Sequence, residues 1–304
     1  MPAAEESIAV LGPGGVGGFV AAALARAGED VTVVAREETA AAIAERGITV
    51  ESVRLGSFTA RPAASPALRA PATFLIVATK ATTLAEALDR IQTQPRLVVP
   101  LLNGLDHMAA LRERFGPDRV AAGSIRIEAD RPETGKVVQT SPTFRVELRS
   151  DDPRLQSLVA RLAGKLERAK IAVEIGSSEA QVLWSKLVRL CPLALMTSAS
   201  ERPIGAIRAD PQLRRQLQAA VREAAQVANA DGAHVDPEQT LAELKAAHPA
   251  LSSSMQRDLA AGRPPELAIP RSVLRAAGAH GLRCPTIEDL TAQVEARAAV
   301  SRRS

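Results

Sequence analysis

The chain has 304 residues, 46% of them hydrophobic, enough to bury a sizeable core and long enough to suit two domains better than one. Its formal net charge of +4 comes from charges spread along the chain, with neither a basic cluster nor interleaved aromatics, which argues against nucleic-acid binding and fits an anionic cofactor or small-molecule substrate. Aromatic residues make up only 2% and Tyr is absent, so aliphatic side chains must fill the interior and hold any nucleotide base.

Cys191 and Cys284 match no metal spacing, and His107, His234, His248 and His280 stand singly, so no structural metal is expected. The opening MPAAEES lacks the basic and apolar regions of a signal peptide. No apolar run approaches the roughly 20 residues of a membrane span. The expectation is a cytoplasmic protein with reduced thiols.

In chain order, the first element is the most telling. The stretch 7–28, SIAVLGPGGVGGFVAAALARAG, reads as a buried strand over 8–11, a glycine turn and an Ala-rich helix. Within Gly12-Pro13-Gly14-Gly15-Val16-Gly17, Gly12 permits a tight turn, Gly14 lets backbone approach a pyrophosphate, and Gly17 lets the helix pack closely. The free N–H groups at the helix start offer an anion site without a basic side chain. A second strand over 30–35, DVTVVA, follows and completes a dinucleotide-binding unit. It ends in Arg36, where an NAD site usually carries an acid; an arginine suits the 2′-phosphate of NADP, while Glu37 and Glu38 leave room for NAD.

Residues 37–46 read as a short helix and 48–63 as a strand pair at the sheet margin. The apolar run 73–78, TFLIVA, is a buried parallel strand ending at Thr79-Lys80 before a helix over 83–91. Lys80 thus lies at a strand's carboxyl end, where it faces a ligand or serves as an ordinary surface lysine. RLVVPLL over 96–102 repeats the pattern and ends at Asn103-Gly104, either a cofactor- and substrate-bonding amide or a plain turn pair. Segments 120–128 and 136–148 are strand-like around a Gly135 turn, 153–167 is an amphipathic helix, and 171–175 closes the first domain.

From Ser178 onward helices follow one another. A largely apolar helix over 181–198 carries Lys186 and contains Pro192, where a kink is expected. Asp210-Pro211 caps a long helix whose Leu213, Leu217, Val221, Ala224 and Ala228 form a packing or dimer face. Further helices are read near 237–247, 270–279 and 287–298. The division is 1–176, an α/β Rossmann-type domain, and 177–304, an all-α substrate domain. Lys186 on an apolar face can serve as a general acid or merely snorkel; Glu266 and Ser254 suit a carboxylate partner and a substrate-carboxylate anchor, or a first-turn acid and a cap.

The series GPGGVG, Arg36 after VTVVA, VATK ending at Lys80, LLNG around Asn103, WSKL around Lys186, SSSM followed by RD, Glu266 and the late HGLRCPT resembles the ketopantoate reductase family, in order and across nearly the whole chain. The resemblance implies an NADPH-binding Rossmann domain, a helical domain like that of the 6-phosphogluconate dehydrogenase superfamily, and an active site in the cleft between them. It implies Lys186 as general acid, Glu266 orienting the lysine and the reacting oxygen, Ser254 holding the substrate carboxylate, and Asn103 with Lys80 at the nicotinamide end. Ketopantoate-reducing members typically carry asparagines where this chain has Leu190, Ala194, Ile204 and Leu251. The polar grip on the substrate is therefore replaced by an aliphatic wall, with Arg189 a candidate compensating anchor or a solvent-facing residue. The expectation is reduction of 2-dehydropantoate to pantoate in pantothenate biosynthesis. The alternatives are reduction of a more apolar 2-oxo acid or an imine, and an NADP-binding sensor without catalysis. A homodimer is expected only from the commonness of twofold oligomers.

Overall fold

Residues 6–301 are described by a computed structural model, so the start of MPAAEES (1–5) lies outside the described residues. Contacts divide the chain into two compact units, one of residues up to Leu102 together with His107–Val182, the other of Asn103–Asp106 together with residues from Leu183 on. The division falls at 182/183 rather than 176/177, because the first turn of a long helix packs with the strands before it. Glu179 there pairs with Arg112, its carboxylate accepts from the Asp151 N–H, and its own N–H donates to the Asp151 carboxylate.

The first unit runs β1 (Ile8–Leu11), α1 (Gly15–Arg26), β2 (Val31–Val34), α2 (Glu37–Arg46), β3 (Ile48–Ser52), β4 (Gly56–Ala60), β5 (Ala63–Ser65), β6 (Phe74–Val77), α3 (Leu84–Leu88), β7 (Leu97–Pro100), α4 (His107–Phe115), β8 (Ala122–Arg126), β9 (Ala129–Glu133), β10 (Lys136–Gln139), β11 (Arg145–Arg149), α5 (Gln156–Arg168) and β12 (Ala172–Ile175). A parallel sheet in the order β5-β2-β1-β6-β7 is its centre. Three of its strands, IAVL, FLIV and LVVP, are buried at every position, as expected of strands covered on both faces. Phe19, Val20 and Leu24 of α1 and Leu162 and Leu166 of α5 join one apolar cluster with Val10, Ile76 and Val99. Each large side chain so buried contributes roughly 1.5–3 kcal/mol.

Two readings change here. The strand pair near 48–63 is the β3–β4 hairpin, but it joins β10 and β9 in a separate sheet, with β3 and β10 parallel; the margin of the central sheet is β5 instead. Lys136 pairs with Thr49, a partner no local pattern reveals. The helix expected over 83–91 is only α3 after a 3₁₀ turn at Ala81–Thr83.

The second unit is helical: α6 (Glu179–Ser200), which begins in the first unit, then α7 (Ile204–Ala209), α8 (Pro211–Ala230), α9 (Pro237–Ala246), α10 (Ser254–Ala260), α11 (Ala268–Ala279) and α12 (Pro285–Ser301). The short α7 had no sequence signal. α6 runs on through Pro192, and by length and composition it could cross a membrane, contrary to the sequence expectation; its most apolar window is 72% buried, which makes it a core helix. Trp184 is fully buried and donates its indole N–H to Asp231 at 2.7 Å. The α8 face that reads as packing or dimer surface packs inside the unit, against α7, α9, α11 and α12. Asp210 caps α8 by accepting from Gln212 and Leu213, and Asp236 caps α9 through Glu238. The cap of α10 is Ser253, not Ser254: its hydroxyl accepts from the Gln256 N–H at 3.0 Å.

Candidate active site

In the first unit the parallel registers place Leu11, Val77 and Pro100 level, so the segments after β1, β6 and β7 leave one carboxyl edge. The strand order reverses at β1 and β6, which is where such sheets bind ligands. Gly12 takes a φ of +90°, and the Gly14 N–H closes a tight turn onto the Gly12 carbonyl at 2.8 Å across buried Pro13. A Cβ on Gly17 would stand 2.2 Å from the Gly12 oxygen, so the helix start lies against the turn itself and the end of β6. Gly15 is required for another reason: its Cβ would meet the Ala129 carbonyl of β9 at 2.1 Å. Val16, between them, is half-buried against the core.

These surroundings suit a dinucleotide. A Cβ on Gly14 would meet nothing within 4 Å, no side chain caps α1, and no acid occupies its first turn. The space beside Gly14 is therefore open, and neither a side-chain cap nor an acid offsets the helix dipole there. Beside the turn, the Thr79 hydroxyl oxygen is buried without a hydrogen-bond partner. Arg36 is exposed at the N-cap of α2, one residue past buried Ala35, and Lys80 is exposed after β6.

The second unit holds the titratable cluster. Lys186, near the start of α6, donates from Nζ to Asn103 Oδ1 at 2.7 Å, and Asn103 Nδ2 donates to Glu266 Oε2 at 3.2 Å. All three residues are half-buried. Asn103 thus bonds an ammonium with its oxygen and a carboxylate with its amide hydrogens, and both bonds are charge-assisted. Asn103, expected with Lys80 at the nicotinamide end, links the two residues expected to do the chemistry. The partners lie 83 and 163 residues away, a separation no motif spacing encodes.

Ser254 is exposed as the first residue of α10. Its buried neighbour Ser253 shares a 2.8 Å hydroxyl bond with Thr197 of α6, a polar pair the sequence did not single out. Leu190 and Ala194 follow Lys186 at one and two turns, so they share its side of α6. Ala194 and Ile204 are buried, and the Ile204 N–H donates to the Leu251 carbonyl at 2.9 Å, which ties α7 to the approach of α10. Arg189 pairs with Glu243 of α9 at 3.9 Å, an anchor to its own unit. Burial pushes the Cys191 thiol far up and that of Cys284 up to about 11, which disfavours the thiolate at both.

A glycine cradle on a parallel sheet, and in the helical unit a bonded Lys–Asn–Glu set, fit the class of oxidoreductases that bind a dinucleotide. Family models for "Ketopantoate reductase PanE/ApbA" and its C-terminal domain match residues 8–150 and 180–298, and the chain belongs to the ketopantoate reductase family. A 2-dehydropantoate 2-reductase of Caulobacter vibrioides is 32% identical over 96% of this chain and 99% of its own. The structure of 2-dehydropantoate 2-reductase from Geobacter metallireducens matches with a TM-score of 0.86 and 27% identity, covering 95% of this chain and 99% of that one. The ternary structure of D-mandelate dehydrogenase with NADH and anilino(oxo)acetate shares the fold, with a TM-score of 0.88 at 19% identity, 97% of this chain and 99% of that one.

Proposed function

We propose that the protein reduces a 2-oxo acid to the 2-hydroxy acid with NADPH, 2-dehydropantoate being the first substrate to test. The observation that carries the reading is the hydrogen-bonded set Lys186–Asn103–Glu266, found in a chain of this family. The cofactor, when bound, supplies hydride to the carbonyl carbon. Gly12 to Gly17 would hold its pyrophosphate and Arg36 its 2′-phosphate. Lys186 offers its ammonium proton to the carbonyl oxygen as negative charge develops there. Asn103 holds that ammonium in place, and Glu266 fixes the amide so that its oxygen faces the lysine. Ser254, exposed on the first turn of α10, is the proposed partner of the substrate carboxylate, with Lys80 beside the cofactor.

A second reading, a 2-oxo acid with an apolar side chain, is favoured by the aliphatic positions one and two turns beyond Lys186 and by buried Ile204. A hydroxylated substrate finds few hydrogen-bonding side chains there. Steady-state rates with a panel of 2-oxo acids, with NADPH and with NADH, test both readings. Turnover with NADPH is expected, and Arg36→Ala should weaken NADPH binding about tenfold or more while leaving NADH unchanged. Equal loss for both cofactors, or no effect, removes Arg36 from the 2′-phosphate site.

A further inference from the structure

The residues 103–106 connect β7 to α4 of the first unit yet pack with the second. They belong to neither helix nor strand, so no backbone ladder fixes Asn103. What fixes this segment is α11. Gly104, at a φ of +86°, lies so close to that helix that a Cβ would stand 3.3 Å from Ser272 Oγ and 3.6 Å from the Ala268 carbonyl. One turn further along α11, Arg275 grips Asp106 with two nitrogens, Nε at 3.1 Å from Oδ1 and Nη2 on Oδ2. Ser272 and Arg275 are three residues apart and therefore share a face.

The same helix sets Glu266. The Ile269 N–H, in its first turn, donates to the Glu266 carbonyl at 3.2 Å. Both ends of the Asn103–Glu266 bond therefore hang on α11, which is itself tied to α12 by Arg271 and Glu295 at 2.8 Å. We propose that the Asp106–Arg275 ion pair is a clamp that positions Asn103, and through it Lys186, for proton delivery. The proposal rests on the reductase reading. Both side chains are about half exposed, 49% and 57%, so an isolated pair of this kind adds little to stability. Its effect is on geometry, because a forked guanidinium–carboxylate contact fixes direction as well as distance.

The test is Arg275→Ala, Arg275→Lys and the swapped pair Asp106→Arg with Arg275→Asp. Each is measured for kcat and KM with the best 2-oxo acid, for melting temperature, and for backbone hydrogen exchange over 103–106. Arg275→Ala is expected to lower kcat about tenfold with KM and melting temperature little changed, and to speed exchange in that segment alone. Arg275→Lys should recover part of the loss and the swapped pair most of it. Unchanged kcat and exchange, or a loss that follows melting temperature, overturns the clamp. Should the native chain reduce no 2-oxo acid, the reductase reading falls, and exchange alone decides: faster over 103–106 sustains the clamp, unchanged rates dismiss it.

Discussion

Asn103 is the residue that joins the candidate cluster. Its amide bonds both Lys186 and Glu266, so replacing it breaks both contacts at once. Asn103→Ala is expected to lower kcat by about a hundredfold while leaving NADPH affinity within about twofold, measured by fluorescence titration alongside turnover. Asn103→Asp should be little better, because a carboxylate there faces the Glu266 carboxylate. The glycine turn was legible because strand, turn and helix are contiguous and each steric demand is local. Lys186 and Glu266 stood out locally as polar residues in apolar or proline-rich settings, which suit a structural role as well, and it was the ordered motif series that made them candidates. The partnership of Asn103 was not, because Asn-Gly reads equally as a turn and its partners come from a distant part of the chain.

At the scale of elements, the packing of α5 beside the start of β2 depends on Glu29. Its carboxylate accepts from Lys165 Nζ at 2.6 Å and from Arg168 Nη2 at 2.6 Å. Burial pushes that carboxyl up, but the hydrogen bonds and charges of Lys165 and Arg168 outweigh it, and the net shift is downward. A depressed carboxyl contributes stability above its unfolded-state range, lost as pH falls through its folded-state value. Glu29→Gln is therefore expected to destabilise the chain by about 1–3 kcal/mol at neutral pH. The difference should shrink as acid protonates the native carboxylate, checked by urea unfolding at a series of pH values. A pH-independent difference would show that shape, not charge, holds α5. Helices with side-chain caps, such as α8 behind Asp210, were readable to within a residue or two. The second sheet was not, because β3 and β10 pair in parallel across a long chain separation and neither strand signals its partner. Gly15 is a further case: it reads as part of a phosphate turn, while the structure also needs it small beneath β9.

Across the whole molecule, the first unit supplies a glycine cradle with an exposed Arg36, and the second an ammonium, an amide and a carboxylate in one bonded set. Composition foretold the aliphatic interior, and the shift from alternating strands and helices to helices alone foretold the two units. The placement of 103–106 with the second unit was hidden, because a four-residue segment carries no periodicity. The most direct measurement is NADPH turnover on the best 2-oxo acid by the native chain and by Lys186→Met, with cofactor affinity determined on both. A rate at least a hundredfold lower is expected for Lys186→Met at unchanged NADPH affinity, with the 2-hydroxy acid as the native product. Equal rates for the two proteins would contradict this expectation.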